Sequence, residues 1–73
     1  MTDATPQALD LVVNGEPVKV AARTLAALVA ERGYGTTRVA TAVNGAFVPA
    51  SARAETILSA QDRIEIVSAR QGG

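Results

Sequence analysis

The chain of 73 residues ends in Gln71-Gly72-Gly73, and the chemistry open to this stretch is open to nothing upstream. Neither glycine carries a Cβ, so this backbone fits a slot too narrow for any other residue. An α-carboxylate is ionised at neutral pH and is a poor electrophile until a leaving group is placed on it. The terminus can therefore be a substrate, with activation left to a partner. A glycine pair can also be a plain chain end, because termini often lack fixed structure. The upstream pattern has to decide between the two.

Composition removes most other chemistries. The chain has no Cys and no His. Thiol nucleophiles, disulfides, Fe–S clusters, zinc sites with nitrogen or sulfur ligands and His-based triads are thereby excluded. No catalytic residue and no metal site is expected. Seven Lys+Arg balance seven Asp+Glu, which gives no basic excess for nucleic acid or an anionic membrane. Tyr34 and Phe47 are the only aromatics, too few to stack bases. Apolar residues come in short runs, none near the roughly 20 needed to span a bilayer. The opening Met1-Thr2-Asp3-Ala4-Thr5-Pro6 lacks the features of a signal peptide, so a cytoplasmic protein is expected. The length suits one domain, which buries only about 60% of its unfolded surface.

The elements that must position the terminus can be read in order. Residues 1–8 are small and polar and are expected to be a disordered lead-in. Leu9, Leu11 and Val13 alternate with Asp10 and Val12, a strand with one buried face. Asn14-Gly15 tolerates positive φ at both positions and closes a two-residue hairpin. Pro17 cannot donate to a ladder, so its nitrogen must face outward on the returning strand of Val18 and Val20. Thr24 is a helix N-cap candidate. Leu25, Leu28 and Val29 follow at helical spacing, and Gly33 supplies the stop. Residues 38–43 read as a third strand. A second Asn-Gly turn, Asn44-Gly45, leads into Phe47-Val48-Pro49. Ile57 and Leu58 are expected to plug the core from an irregular or one-turn helical connection. Gln61-Asp62 supplies turn chemistry, and residues 63–68 form the last strand, with Ile64 and Ile66 on one side and Arg63 and Glu65 on the other. Val67 falls on the polar side as an exposed apolar residue.

The order is ββαβββ, an α+β arrangement of a mixed sheet with one main helix packed on one face. Residues 9–68 form the domain, and residues 69–73 form a flexible tail ending Gly-Gly. If the last strand lies beside the first, the two run parallel. Five extended tail residues reach at most about 17 Å beyond the body.

Several stretches carry a resemblance: Val13-Asn14-Gly15-Glu16, Thr24-Leu25-Ala26-Ala27-Leu28, and residues 39–45 with Val48-Pro49. Asp62-Arg63-Ile64-Glu65-Ile66-Val67 and the Gly72-Gly73 end complete it. In this register the chain resembles the ubiquitin-like β-grasp family, and within it the sulfur carriers of thiamine thiazole biosynthesis. The resemblance implies a carrier that is not itself an enzyme and binds no cofactor. A ubiquitin-activating-like adenylyltransferase would put AMP on the Gly73 carboxylate. Sulfur drawn from cysteine through a desulfurase would displace AMP and leave a thiocarboxylate, which thiazole synthase consumes. One departure stands at Ala50, where family members often carry Arg. Either a partner contact is weaker, or the charge has moved to Arg53.

Two other readings stay open. The acceptor can be that of a molybdopterin-synthase small subunit, with the same terminal chemistry. Alternatively, the domain is a β-grasp binding module with an inert tail. For single residues, Gly73 is the site of sulfur attachment and Gly72 the slot residue next to it. Arg70 and Gln71 are candidates for tail recognition. Val67 and Phe47 are candidates for an apolar docking surface, although Phe47 could equally be core. Asn14, Gly15, Asn44 and Gly45 are read as turn formers alone. The free protein is expected to be a monomer.

Overall fold

A computed structural model describes residues 8–34 and 38–68. The expected lead-in, apart from Ala8, the loop at 35–37 and the tail at 69–73 lie outside the described residues. The elements run β1 (Leu9–Val13), β2 (Glu16–Val20), α1 (Leu25–Glu31), β3 (Val39–Val43), β4 (Ala46–Val48), a 3-10 helix (Ala50–Glu55) and β5 (Arg63–Ser68). The strands form one sheet in the order β2-β1-β5-β3-β4. β5 lies in the middle, parallel to β1 and antiparallel to β3. The parallel contact expected of the first and last strands is present.

Both hairpins close as their Asn-Gly pairs dictate. Asn14 and Asn44 each hold φ at 51°, with Gly15 at 85° and Gly45 at 86°. Side chains without a β-branch or bulk tolerate this left-handed region best, and the primed turn it creates matches the twist of the flanking strands. Pro17 obeys its constraint. It sits opposite Val12, whose N–H donates to the Asp62 carbonyl, just before β5, at 3.0 Å. The Val12–Pro17 pair is thus the non-bonded kind, and the proline nitrogen points off the free edge of β2.

Helix α1 is framed as its sequence implies. Thr24 Oγ1 accepts from the Ala27 N–H at 3.1 Å. At the other end Gly33 adopts φ 88°. Its N–H donates to the Ala30 carbonyl at 3.0 Å, and the Tyr34 N–H donates to the Val29 carbonyl at 3.2 Å. These two bonds satisfy carbonyls that the helix leaves open, and Tyr34 then packs against the core. Leu25, Leu28 and Val29 face the sheet, where they meet Leu11, Val13, Val20, Ile64 and Ile66.

One expectation is overturned. Ile57 does not plug the core: it is 68% exposed, and only Leu58, at 4%, is buried. The chain at 56–58 is extended and pairs with 23–25. The Leu25 N–H donates to the Thr56 carbonyl and the Leu58 N–H to the Arg23 carbonyl, both at 2.9 Å, around a Thr24–Ile57 bridge. Extended backbone sends neighbouring side chains to opposite faces, so Leu58 inward requires Ile57 outward. The 3-10 helix before it was not legible. Its turn is closed by local bonds such as the Ala52 N–H to the Pro49 carbonyl.

Leu28 is fully buried under the sheet. Leu28→Ala is expected to cost about 2–5 kcal/mol through lost contacts and a residual cavity. That is comparable to the whole stability of so small a domain. Urea unfolding followed by circular dichroism is expected to find the variant largely unfolded before denaturant is added.

Candidate functional site

The expected site residues divide into two groups. Gly73, Gly72, Gln71 and Arg70 lie outside the described residues. Val67 and Phe47 lie within them, and both are exposed, at 62% and 70%. Phe47 is therefore surface and not core. It alternates with Val48, which packs against the core from the other side of β4.

The root of the tail is β5, and its backbone is gripped from both sides. On the β3 side the pairing runs the whole strand, from Val43 opposite Ile64 to Val39 opposite Ser68. On the β1 side it covers Val12 opposite Arg63 and Val13 opposite Ile64. The Asn14 N–H then donates to the Ile64 carbonyl at 2.9 Å. The next rung of a parallel ladder would join the Asn14 carbonyl to the Ile66 N–H. At φ 51° the chain has already turned into the hairpin, and the side chain takes over. Asn14 Oδ1 accepts from the Ile66 N–H at 2.9 Å, and Nδ2 donates to the Ile66 carbonyl at 3.1 Å.

Asn44 does the same at the other end of β5. Its backbone N–H donates to the Arg63 carbonyl at 2.7 Å. Its Oδ1 accepts from the Arg63 N–H at 2.8 Å, and its Nδ2 donates to Asp62 Oδ1 at 2.9 Å. The turn-former reading of both asparagines was thus incomplete. The missed signal is their identity: Gly would also suit the turn, but only a carboxamide offers a donor and an acceptor side by side.

Alternation along β5 places Glu65 and Val67 on the face opposite the helix. Val67 sits across from Ala40, Glu65 across from Ala42, and Phe47 across from Ala42 on the other side. Because two of these positions are alanine, Phe47 and Val67 flank a shallow open depression of about 190 Å³. The β1–β2 half of the same face is charged. It carries the cross-strand pair Asp10–Lys19, 2.6 Å apart, and Arg63 lies opposite Val12. The face is thus apolar on the half that adjoins the last residues of β5.

Arg53 does not supply this face with the charge missing at Ala50. It lies on the helix side. Its Nε donates to Thr41 Oγ1 at 3.0 Å and its Nη2 to the Val39 carbonyl at 2.6 Å. Thr41, 2% exposed, donates in turn to the Val48 carbonyl at 2.8 Å. β4 pairs with β3 only as far as Thr41, so Arg53 covers the edge of β3 that β4 leaves bare. Among the described residues, no group of three or more acidic side chains could hold a metal ion. No helix among them is long and apolar enough to cross a membrane.

With this geometry in hand, comparison with known proteins is informative. The model of the ThiS family matches residues 11–73. A solved structure, that of a thiamine biosynthesis protein (ThiS) from Geobacter metallireducens, superposes with a TM-score of 0.71 at 26% sequence identity. The match covers 89% of this chain and 100% of that one. A comparison with curated protein sequences gives no match.

The Arg53 bridge yields a prediction. Arg53→Met strands the Val39 carbonyl and removes the bond that the buried Thr41 hydroxyl accepts, at a cost of about 1–3 kcal/mol. Arg53→Lys is expected to recover only part, because one ammonium cannot reproduce the planar fork that reaches two acceptors. The urea midpoints of the three proteins measure it, and equal midpoints would contradict the bridge.

Proposed function

The chain belongs to the ThiS family, sulfur carriers of thiamine biosynthesis, and on that premise we propose that Gly73 is the residue that carries the sulfur. Carriers of this type are generally not enzymes, and the family as a whole works with an activating enzyme and with thiazole synthase. The observation that carries the finer reading is the placement of β5. The central strand, locked on both sides, ends at Ser68, five residues before Gly73, and the family match runs through Gly73.

The chemistry needs little of the carrier. A Gly73 carboxylate oxygen attacks the α-phosphorus of ATP, pyrophosphate leaves, and an acyl adenylate results. A persulfide sulfur then attacks the acyl carbon and AMP leaves. A thiol cleaves the remaining S–S bond, so that the thiocarboxylate stays on Gly73. Thiazole synthase takes up the sulfur, in the cytoplasm. AMP and sulfur are transient adducts of the terminus, and no resident cofactor takes part. The carrier supplies a nucleophile with no side chain in the way, and Arg70 and Gln71 flank it as recognition residues. Phe47 and Val67 form the docking surface. An apolar patch beside the tail root lets the enzyme hold the globule while the terminus enters its site. The free carrier is a monomer.

Four experiments test this. With ATP, the activating enzyme and a sulfur source, intact mass spectrometry is expected to find the chain heavier by one sulfur less one oxygen; an unchanged mass would sink the reading. Deleting Gly72 and Gly73 is expected to abolish that gain and leave the melting temperature untouched. Gly72→Ala is expected to fold normally and adenylate slowly, because a methyl is added where the slot is narrowest. Phe47→Ser with Val67→Ser is expected to raise KM for the carrier at unchanged stability. Exposed positions of this kind shift stability by only about 0.5 kcal/mol.

A further inference from the structure

We propose that Asn14 is a positioning residue for the sulfur-bearing terminus: its carboxamide ties β5 to the β1–β2 turn at Ile66, and so holds the root from which the chain runs on to Gly73. The inference rests on the carrier reading above and adds a role that turn formation does not require.

The case begins with the asymmetry of β5. Its β3 flank is paired to Ser68, whereas backbone pairing on its β1 flank stops at Ile64. Without a further partner, the strand would be held on one side only from Ile66 onward. The Asn14 carboxamide closes that gap with two bonds to Ile66, at 2.9 and 3.1 Å. Ile66 is buried, 3% exposed, and lies seven positions before Gly73. A root that frays from Ile66 onward would lengthen the stretch of chain that an enzyme must order before the terminus can react. A reacting atom misplaced by 1 Å can lose about 10²-fold in rate.

The molecule contains its own control. Asn44 has the same following glycine and the same φ of 51°, and its carboxamide also makes two bonds, one with the Arg63 N–H and one with the Asp62 carboxylate. It grips β5 at Arg63, the end far from the terminus. If the asparagines only close turns and stabilise the sheet, the two are equivalent. If Asn14 positions the terminus, they differ in function even where both stay folded.

The experiment compares Asn14→Gly with Asn44→Gly, each of which keeps a residue at ease with positive φ while removing two side-chain bonds. Asn14→Asp is a third variant in case a glycine pair fails to fold. It keeps the acceptor for the Ile66 N–H and turns the donor into an oxygen facing the Ile66 carbonyl. Each protein is assayed for ATP-dependent thiocarboxylate formation, with kcat and KM separated, and for amide hydrogen exchange at residues 66–68. Both glycine variants are expected to stay folded at the assay temperature, with Asn14→Gly melting the lower of the two because its bonds are part-buried and those of Asn44 are exposed. Asn14→Gly and Asn14→Asp are expected to lose about tenfold in kcat with KM little changed, and to exchange faster at residues 66–68. Asn44→Gly is expected to keep kcat within twofold of the parent. Equal kcat for Asn14→Gly and Asn44→Gly, or a loss confined to KM, overturns the proposal. If the parent chain takes up no sulfur, the carrier reading fails. The exchange data then stand apart, and unchanged exchange at residues 66–68 in both Asn14 variants overturns the proposal on its own.

Discussion

The structure depends on the backbone of β5 being paired on both flanks while the chain on either side turns away from it. A central strand in a sheet this small has only short neighbours. β1 offers five residues and then reverses; β3 does the same. Each reversal puts an asparagine in the left-handed region, which diverts that residue's own carbonyl from the ladder. The carboxamide is the one side chain that can return what the turn removes, because it carries the same donor and acceptor as a peptide group. A buried strand with open amides would be costly, and here the two turns complete the pairing that their own geometry interrupts.

Among the described residues, α1 with Leu58 covers one face of the five-stranded sheet. The other face stays open. Its β1–β2 half is made safe by charge, Asp10 against Lys19, and its free edge is blunted by Pro17. Its β3–β4 half is made of alanines, Phe47 and Val67. At the β3 edge, Arg53 occupies the carbonyl that β4 does not reach. The two large exposed apolar side chains of this face, Phe47 and Val67, both stand in the region beside the end of β5.

The strands and both hairpins were legible because period-two alternation and Asn-Gly are local signals, complete within about ten residues. The helix was legible for the same reason, from Thr24 to Gly33. What was not legible depends on partners distant in sequence. Ile57 and Leu58 are both large and aliphatic, and only the bridge to Thr24 decides which of them turns inward. The bonds of Arg53 to Val39 and Thr41 span 14 and 12 residues, and those of Asn14 to Ile66 span 52. Composition gave no hint of these bonds, although an asparagine chosen twice where glycine would serve the turn was a clue. The docking candidates were half legible: Val67 stood out because it broke the alternation of β5, whereas Phe47 needed the register of β4 to place it.

That break in alternation carries the last step. Along β5, Ile64 and Ile66 anchor the strand in the core while Glu65 and Val67 stand on the open face. The strand is thus held from below by packing, from the sides by hydrogen bonds, and offered above to a partner, all within four consecutive residues. A partner that grips Val67 contacts the residue next to the one that Asn14 clamps. Docking and the departure of the terminus are then fixed by the same rigid piece of backbone. An enzyme bound to that face has the origin of the terminus set within one residue, and the freedom it must restrict on binding is confined to the few residues beyond Ser68.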